Sequence, residues 1–287
     1  MRNLRIVVTD FCNLSCAYCY NEGNMKPQQE NHSIDYKILH RTVAFLSKKF
    51  NDVVITGGEP LLHPQIISIL QAFIDEGKIP RITTNGIKLD CLFDTPVYEK
   101  LKRFNISLDR FEAESFRLRT RTKCEDYEKI IKNIRTLVDH NKEVTLNMIC
   151  DEYTTNSDLD HIFANIKNLG IKRVKFIPLI GCNENIVIKN IIDFLDNKYC
   201  GQYMLRGSEL DINEYICDDM SVMIVHQYCN MKNCDRCRED SFYRLNYDGK
   251  IYRCLRDKND YFNLFEKYEE ESLENDYFLF ESFRQIS

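Results

Sequence analysis

Residues 4–19 decide the fold of this chain, and they read LRIVVTDFCNLSCAYC. The apolar, β-branched run at residues 4–9 predicts a buried strand, and a loop that carries Cys12, Cys16 and Cys19 follows it directly. Because thiolates bind zinc and iron–sulfur clusters, three of them in so short a loop indicate a metal centre. A cubane cluster would keep one of its irons without a protein ligand. A structural zinc site and plain buried cysteines are the alternatives.

The same order of strand, loop and amphipathic stretch repeats from this loop as far as residue 180. Strands are predicted at residues 4–9, 52–56, 81–84, 105–108, 143–149 and 173–179, and helices are predicted to begin at Ile34, Pro64, Thr95, Glu125 and Ser157. Ser33 and Asn156 are the predicted N-caps, and Gly170 is a predicted helix end. This alternation favours a parallel α/β sheet, either open and doubly wound or a partial barrel, with functional residues at the C-terminal ends of its strands.

Polar or glycine-rich turns follow the later strands. The second strand ends in Gly57-Gly58-Glu59-Pro60, where two glycines allow the backbone to approach a ligand closely. Asn85 follows the third strand, and Ser107 ends the fourth. We therefore expect Gly58→Val to weaken ligand binding at this turn and to leave the metal of the cysteine loop in place. No glycine-rich dinucleotide or triphosphate-binding motif follows any strand.

These motifs resemble those of the radical S-adenosylmethionine (radical SAM) enzymes. The features that carry the resemblance are Cys-x3-Cys-x2-Cys with Tyr18 before its last cysteine, Gly-Gly-Glu-Pro, and the segments at residues 4–10, 107–109 and 144–147. They are most similar to the molybdenum-cofactor GTP 3′,8-cyclase branch. The resemblance implies a partial (β/α)6 TIM-like barrel at residues 1–198 and a cysteine-rich cap of the twitch or SPASM type at residues 199–287.

The same resemblance implies a cofactor set and a chemistry. Cys12, Cys16 and Cys19 would hold a [4Fe-4S] cluster whose open iron binds SAM, and reductive cleavage of SAM would give a 5′-deoxyadenosyl radical that takes a hydrogen atom from the substrate. The implied SAM-binding residues are Tyr18, Gly57, Gly58, Glu59, Asn85, Ser107 and Asn147. A reducing partner such as flavodoxin or ferredoxin is implied, and no acid–base pair is assigned.

The remaining cysteines fall into two groups. Cys91, Cys124, Cys150 and Cys182 are scattered singly and are predicted to be small buried residues. The C-terminal group is Cys229, Cys234, Cys237 and Cys254, with Cys217 as another candidate ligand. Spacing alone fits a zinc ribbon equally well, and the resemblance favours a second, auxiliary [4Fe-4S] cluster. Since the cyclases' Arg-x-Arg pair has only approximate counterparts here, Arg238 and Arg244, the resemblance does not by itself identify GTP as the substrate.

Charge and hydropathy limit the class of partner. With 39 Lys and Arg against 44 Asp and Glu, the formal net charge is −5, which argues against a general nucleic-acid binder. No apolar run approaches the length of a membrane span or signal peptide, so we expect a cytoplasmic protein.

Two enzymatic functions then remain, above a metal-stabilised binding protein without turnover. The first is a reaction on a small polar, anionic metabolite of the nucleotide, nucleoside or sugar type, bound by Asn147, Lys175, Arg119 and Arg244. The alternative is a maturase that modifies a ribosomally synthesised peptide. It is disfavoured because no strand pattern for a leader-binding domain precedes Leu4.

Overall fold

The computed structural model describes residues 3–19, 32–200, 202–209, 212–226, 242–252 and 261–266. The strands within these ranges are β1 Asn3–Val7, β2 Asp52–Thr56, β3 Arg81–Thr84, β4 Arg103–Ser107, β5 Glu143–Cys150, β6 Arg173–Pro178, β7 Met204–Glu209, β8 Ile212–Cys217, β9 Met220–Val225, β10 Phe242–Leu245, β11 Lys250–Tyr252 and β12 Tyr261–Asn263. The α-helices are α1 Tyr36–Lys49, α2 Ile66–Asp75, α3 Asp90–Phe93, α4 Pro96–Lys100, α5 Ala113–Thr120, α6 Cys124–Asp139, α7 Asn156–Asn168 and α8 Glu184–Tyr199.

The first six strands form the predicted parallel array. In the described ranges, all strands join one sheet in the order β12-β11-β10-β1-β2-β3-β4-β5-β6-β9-β8-β7, and each pair from β1 to β6 is parallel. A helix follows each of these six strands. The predicted α/β class with a partial barrel is therefore confirmed.

Alternation along each strand separates two faces of this sheet. Leu4 and Ile6 on β1 are fully buried in the apolar core, while Arg5 between them lies on the opposite face, which lines the barrel interior. On β6, Val174 and Phe176 likewise belong to the core, and Lys175 points the other way. The barrel interior is thus lined in part by charged side chains.

The observed helix ends correct two predicted caps. Asp35, not Ser33, caps α1 by accepting from two backbone N–H groups, because Ser33 is paired with Thr9 in an isolated β-bridge. Thr155 caps α7, so the predicted cap Asn156 is instead the first residue of that helix. Gly170 follows α7 with φ +70°, which confirms the predicted helix end.

Strands from the C-terminal part of the chain extend both edges of the array. β9 pairs parallel with β6, and β10 pairs parallel with β1, with Leu245 opposite Ile6. A turn at Gly249, with φ +78°, connects β10 to antiparallel β11. Cys229, Cys234, Cys237 and Cys254, as well as Arg238, lie outside the described residues, and the division at residues 198 and 199 stays a prediction.

The scattered cysteines were mostly placed wrongly by the sequence. Cys150 at the end of β5 is buried as predicted, but Cys91 on α3 is exposed, and Cys124 and Cys182 are only partly buried. These three lie on or beside helices at the surface rather than on a central strand. Cys217 is fully buried in the apolar core. Among the described helices, none has the length and apolarity required to span a membrane.

Candidate active site

The cysteine loop, residues 8–19, leaves the C-terminal end of β1 and is held by backbone hydrogen bonds on two sides. On one side, Gly58 N–H donates to Thr9 O at 2.7 Å and Glu59 N–H donates to Phe11 O at 2.8 Å. On the other, Ser15 N–H and Ala17 N–H donate to the Thr120 and Arg119 carbonyls that end α5, at 3.0 and 3.1 Å. The loop is therefore clamped between the turn after β2 and α5.

The two glycines after β2 make this clamp possible. A Cβ atom at Gly58 would lie 2.4 Å from Phe11 O and 2.6 Å from Asp10 O, and one at Gly57 would lie 2.6 Å from Thr9 O. All of these atoms belong to the backbone of the cysteine loop. The close approach that the sequence indicated is thus an approach to the loop itself, and a role of both glycines in binding SAM stays a prediction.

Glu59 joins the ends of β2 and β3. Its side chain is fully buried and accepts hydrogen bonds from Thr84 Oγ1 at 2.7 Å, Asn85 N at 2.7 Å and Leu61 N at 3.1 Å. Burial raises the pKa of Glu59 to about 7, although these three donors oppose the shift. The carboxyl group is consequently occupied by the protein, so any contact of this residue with a ligand is left to its backbone.

Asn85 connects the buried Glu59 carboxyl group to the cysteine loop. Its side-chain Nδ2 donates to Asn13 Oδ1 at 2.8 Å and lies 3.9 Å from Cys12 Sγ. Cys12 Sγ also accepts from the Leu14 backbone N–H at 3.4 Å. Hydrogen bonds of this kind stabilise a thiolate, so the surroundings of Cys12 suit a metal ligand.

The three thiols of the loop act on one another electrostatically. Burial above all, together with the charge of Cys19, raises the pKa of Cys12 to about 11 and that of Cys16 to about 12. Within the described ranges, no three His, Cys, Asp or Glu side chains are grouped as ligands of a single metal ion. Three neighbouring thiols on one loop do supply the donor set of a four-iron cluster with one open iron, which would offset their mutual repulsion. The residues present therefore fit that cluster.

A charged network lies on the α5 side of the loop. Asp109, just after β4, is 5% exposed and accepts from Ile149 N at 3.0 Å and from Arg119 Nε at 3.4 Å. The Arg119 guanidinium lies 4.7 Å from the centre of the Tyr18 ring. Burial and the charge of Asp109 raise the pKa of Tyr18. The aromatic residue of the cysteine motif thus lies against the charged pair Asp109–Arg119.

The C-terminal hairpin reaches the cysteine loop from the other side. Asp10 accepts from the His32 backbone N–H at 2.8 Å, and its other oxygen lies 2.9 Å from His32 Nδ1. The His32 ring stacks on Tyr247, with centroids 5.1 Å apart and planes 5° apart. Tyr247 belongs to the turn that joins β10 to β11, so this stack links both ends of the chain at the site.

The predicted SAM residues of β4 and β5 lie side by side facing the barrel interior. Ser107 is paired with Asn147, and Asn147 is paired with Lys175 on β6. Asn147 Oδ1 is buried and accepts no hydrogen bond within the described ranges. A buried acceptor without a partner is costly, so this layer is suited to a ligand that donates a hydrogen bond to it.

Lys175 makes this layer cationic. Burial, and after it the charges of Arg81, Arg5 and Arg173, lower its pKa to about 8. Asp52 opposes them only weakly, since its carboxylate is paired with Arg81 and Arg103. Arg244, predicted from the sequence as a substrate group, is 3% exposed on β10 and is paired with Arg5 in the sheet. The barrel interior is therefore suited to an anion.

Other candidate residues lie elsewhere. His63 is buried, lies 3.0 Å from Ile34 O through its Nε2 and accepts from the Gln65 N–H, so its side chain holds the entry to α2. Arg117 is on the exposed face of α5, paired with Glu114, so it does not reach the site. The sequence did not single out Asn13 as a site residue, because its role depends on Asn85, far away in the chain.

The family match and the most similar relatives agree on one family. Residues 6–166 match the family described as the Radical SAM superfamily. A probable GTP 3′,8-cyclase of Methanocaldococcus jannaschii is 31% identical over 274 residues, which cover 90% of this chain and 87% of that protein. Another, from Methanosarcina acetivorans, is 31% identical over 264 residues, which cover 88% of this chain and 77% of that protein.

Solved structures share the fold at low sequence identity. Streptococcus suis SuiB bound to S-adenosylmethionine superimposes with a TM-score of 0.66 and 14% identity, covering 93% of this chain and 64% of SuiB. Native anSMEcpe with bound AdoMet gives a TM-score of 0.65 and 15% identity, covering 92% of this chain and 78% of that one. This chain thus spans less than two thirds of the length of SuiB.

Proposed function

The chain belongs to the radical SAM superfamily and is an iron–sulfur enzyme of that kind, and we propose that it abstracts a hydrogen atom from a small, polar, anionic metabolite of the nucleotide, nucleoside or sugar type. When bound, the [4Fe-4S] cluster and SAM supply the electron and the 5′-deoxyadenosyl radical. Cys12, Cys16 and Cys19 would hold the cluster at the mouth of the barrel. The proposed binding residues of the barrel would orient SAM and the substrate and exclude water.

The observation that carries the substrate class is the charge of Lys175. The charges of Arg81, Arg5 and Arg173 act on its ammonium and that of Asp52 opposes them, while Arg81 is itself paired with Asp52 and Arg173 with Glu143 and Glu214. An anionic substrate would compensate this charge, whereas a neutral one would leave it uncompensated. Relatives named probable GTP 3′,8-cyclase support a nucleotide-like substrate.

SAM would then occupy the space between the cysteine loop and strands β4 and β5. Ser107 and Asn147 are the residues we propose for direct side-chain contact, because their polar groups face the barrel interior. The Glu59 side chain accepts from the Asn85 backbone and the Asn85 side chain donates to Asn13 of the loop, so both residues would act by fixing the backbone of the turns. Gly57 and Gly58 would present backbone groups, and Tyr18 would pack near the adenine.

We also propose an auxiliary [4Fe-4S] cluster, held by Cys229, Cys234, Cys237 and Cys254, in a C-terminal cap formed by residues 199–287. The motif spacing and the cyclase-like relatives support it. An external electron donor such as flavodoxin or ferredoxin would reduce the enzyme. Two cubane clusters correspond to about eight iron and eight sulfide per chain after anaerobic reconstitution. Stoichiometric zinc at these four cysteines in a fully active protein would overturn the auxiliary cluster.

The cluster assignment is tested by replacing Cys12, Cys16 and Cys19 together with alanine. The variant is expected to lose about half of the iron and all formation of 5′-deoxyadenosine from SAM and dithionite, measured by chromatography. The matched control replaces Cys91, Cys124 and Cys182, which lie away from the loop, and should retain both. Continued SAM cleavage by the first variant would contradict the assignment.

The substrate class is tested separately by calorimetric titration of the reconstituted enzyme with GTP and with guanosine. The nucleotide is expected to bind more tightly than the uncharged nucleoside, and its affinity should fall as salt is added. Equal affinity for the two would remove the support for an anionic substrate. A ribosomally made peptide altered in mass by the enzyme, SAM and reductant would establish the maturase alternative instead.

A further inference from the structure

Asn246, directly after β10, has a buried side-chain oxygen that the protein leaves unpaired. The residue is 4% exposed, and its Oδ1 accepts no hydrogen bond from the part of the chain that the structure describes. A buried acceptor without a partner costs stability, and folded proteins pair nearly all such groups. The proposed roles of the other residues at the site do not account for this oxygen. It is suited to a bound molecule that donates a hydrogen bond.

The turn between β10 and β11 does not use this side chain. The Asn246 backbone N–H donates to Lys250 O at 3.0 Å, and the Asn246 carbonyl accepts from Gly249 N–H at 3.0 Å. An asparagine that begins such a turn commonly accepts, through its side chain, from the backbone N–H two residues on. Here the side chain that accepts within the turn is that of Asp248, from Lys250 N–H at 3.2 Å. The hairpin therefore fixes the backbone of Asn246 and leaves its Oδ1 for another partner.

The alternation along β10 directs the Asn246 side chain to the barrel interior. Leu245 and Ile251 are paired and both belong to the apolar core, so Arg244 and Asn246 lie on the other face. Arg244 is paired with Arg5, whose side chain lines the barrel interior. Residues two apart in a strand are separated by roughly 7 Å. The strand thus presents a cation and an acceptor to the same space, with Asn246 nearer the mouth of the barrel.

We propose that Asn246 is a substrate-binding residue whose Oδ1 accepts a hydrogen bond from an N–H or O–H group of the substrate. This inference rests on the proposed function, in which an anionic metabolite occupies the barrel interior. That metabolite would place its anionic group near Arg244 and a donor roughly 7 Å away. GTP carries both kinds of group, since its phosphates are anionic and its base and ribose hold donors. An anion without such a donor would leave the buried oxygen unpaired.

The first test measures the apoprotein without any ligand. Asn246→Leu keeps a side chain of similar size and removes the unpaired oxygen, so it should raise the urea midpoint of unfolding. The matched control is Asn133→Leu. Asn133 is 5% exposed, but its Nδ2 donates to Gly86 O at 2.9 Å, so this substitution should lower the midpoint. A midpoint lowered as far by Asn246→Leu would show that the protein itself uses the side chain, and would overturn the proposal.

The second test is calorimetric titration of the reconstituted enzyme with GTP and, separately, with SAM. Asn246→Leu should bind GTP about tenfold more weakly than the unsubstituted protein and should bind SAM equally well. Asn246→Ala, which adds no bulk, should show the same loss. Unchanged GTP affinity in Asn246→Ala, or a loss of affinity for SAM alone, would overturn the proposal.

Two analogues identify the donor of the substrate. If a ribose hydroxyl donates to Asn246, the difference between the variant and the unsubstituted protein should vanish with either 2′-deoxy-GTP or 3′-deoxy-GTP. If the base donates, the difference should persist with both analogues. An unsubstituted enzyme that binds no GTP would overturn the proposed substrate class and this inference with it, whereas tight GTP binding that Asn246→Ala leaves intact would overturn this inference alone.

Discussion

Lys175 illustrates at the scale of one residue how a binding site costs stability. Burial and neighbouring arginines lower its pKa to about 8 in the folded protein, below the ordinary value near 10.4 in an unfolded chain. The unfolded chain thus holds the proton more tightly, so this lysine destabilises the fold fully below about pH 8, and the cost disappears as pH rises above about 10.4. We expect Lys175→Met to raise the free energy of unfolding of the apoprotein at pH 7 by about 1–3 kcal/mol, measured by urea denaturation.

The exposed Lys189, paired with Asp193 on α8, provides the control, and Lys189→Met should change that free energy little. A loss of stability in Lys175→Met at pH 7 would contradict a destabilising charge. A gain of the same size at pH 11 would also contradict it, because the wild-type lysine is neutral there.

The same charge predicts a pH dependence of ligand binding. Only the protonated Lys175 attracts an anion, so nucleotide affinity should be constant well below pH 8 and fall as pH rises through that value. Lys175→Met should weaken GTP binding about tenfold or more at pH 7, since a hydrogen bond to a charged group contributes about 1.5–3 kcal/mol. Calorimetry of both proteins between pH 6 and pH 10 measures this. If the affinity of Lys175→Met falls with pH in the same way, the pH dependence belongs to a group other than Lys175.

At the scale of the element, the turn after β2 and the cysteine loop form one unit. A methyl group at Gly58 would stand 2.4 Å from Phe11 O, and backbone atoms have little room to yield. This replaces the expectation that substitution of Gly58 spares the metal. Gly58→Ala should displace the loop and lower the iron bound at Cys12, Cys16 and Cys19, measured as iron per chain after reconstitution.

Gly77→Ala controls for the general cost of replacing a glycine. Gly77 has φ +73°, and an added Cβ would meet nothing within 4 Å, so this variant should lose some stability and keep its iron. Equal iron in the Gly58→Ala protein and the unsubstituted one would show that the turn merely connects β2 to the next helix.

The elements show which features a sequence pattern can predict. Periodicity placed β1 to β6 and most helix starts correctly, because burial on one face constrains many residues at once. It could not choose between Ser33 and Asp35 as the cap of α1, since both are good N-caps and a tertiary bridge to Thr9 decides. The glycines after β2 signalled a close approach, but the identity of the approaching group depends on the packing of two loops.

At the scale of the whole molecule, the site is assembled from both ends of the chain. Arg5 and Arg244 become neighbours only because β10 pairs with β1, and Tyr247 reaches His32 for the same reason. Strands so far apart in the sequence leave no local pattern that shows their pairing. The motifs therefore indicated Arg244 as a substrate group but could not place it beside Arg5. The cysteine loop therefore depends on segments that the sequence alone treats as separate.

Because of this dependence, we predict that the barrel and the β10–β11 hairpin unfold together as one cooperative unit. Leu245 is fully buried opposite Ile6, so Leu245→Ala should lower the free energy of unfolding of the whole chain by about 2–5 kcal/mol. Leu205→Ala on the edge strand β7, where the leucine is 53% exposed, should cost far less. Urea unfolding followed by circular dichroism and by tyrosine fluorescence would measure both, as the chain has no tryptophan. Coincident curves that shift together are expected for Leu245→Ala. Two separated transitions, with only the smaller one moved by Leu245→Ala, would instead show that the hairpin folds independently of the barrel.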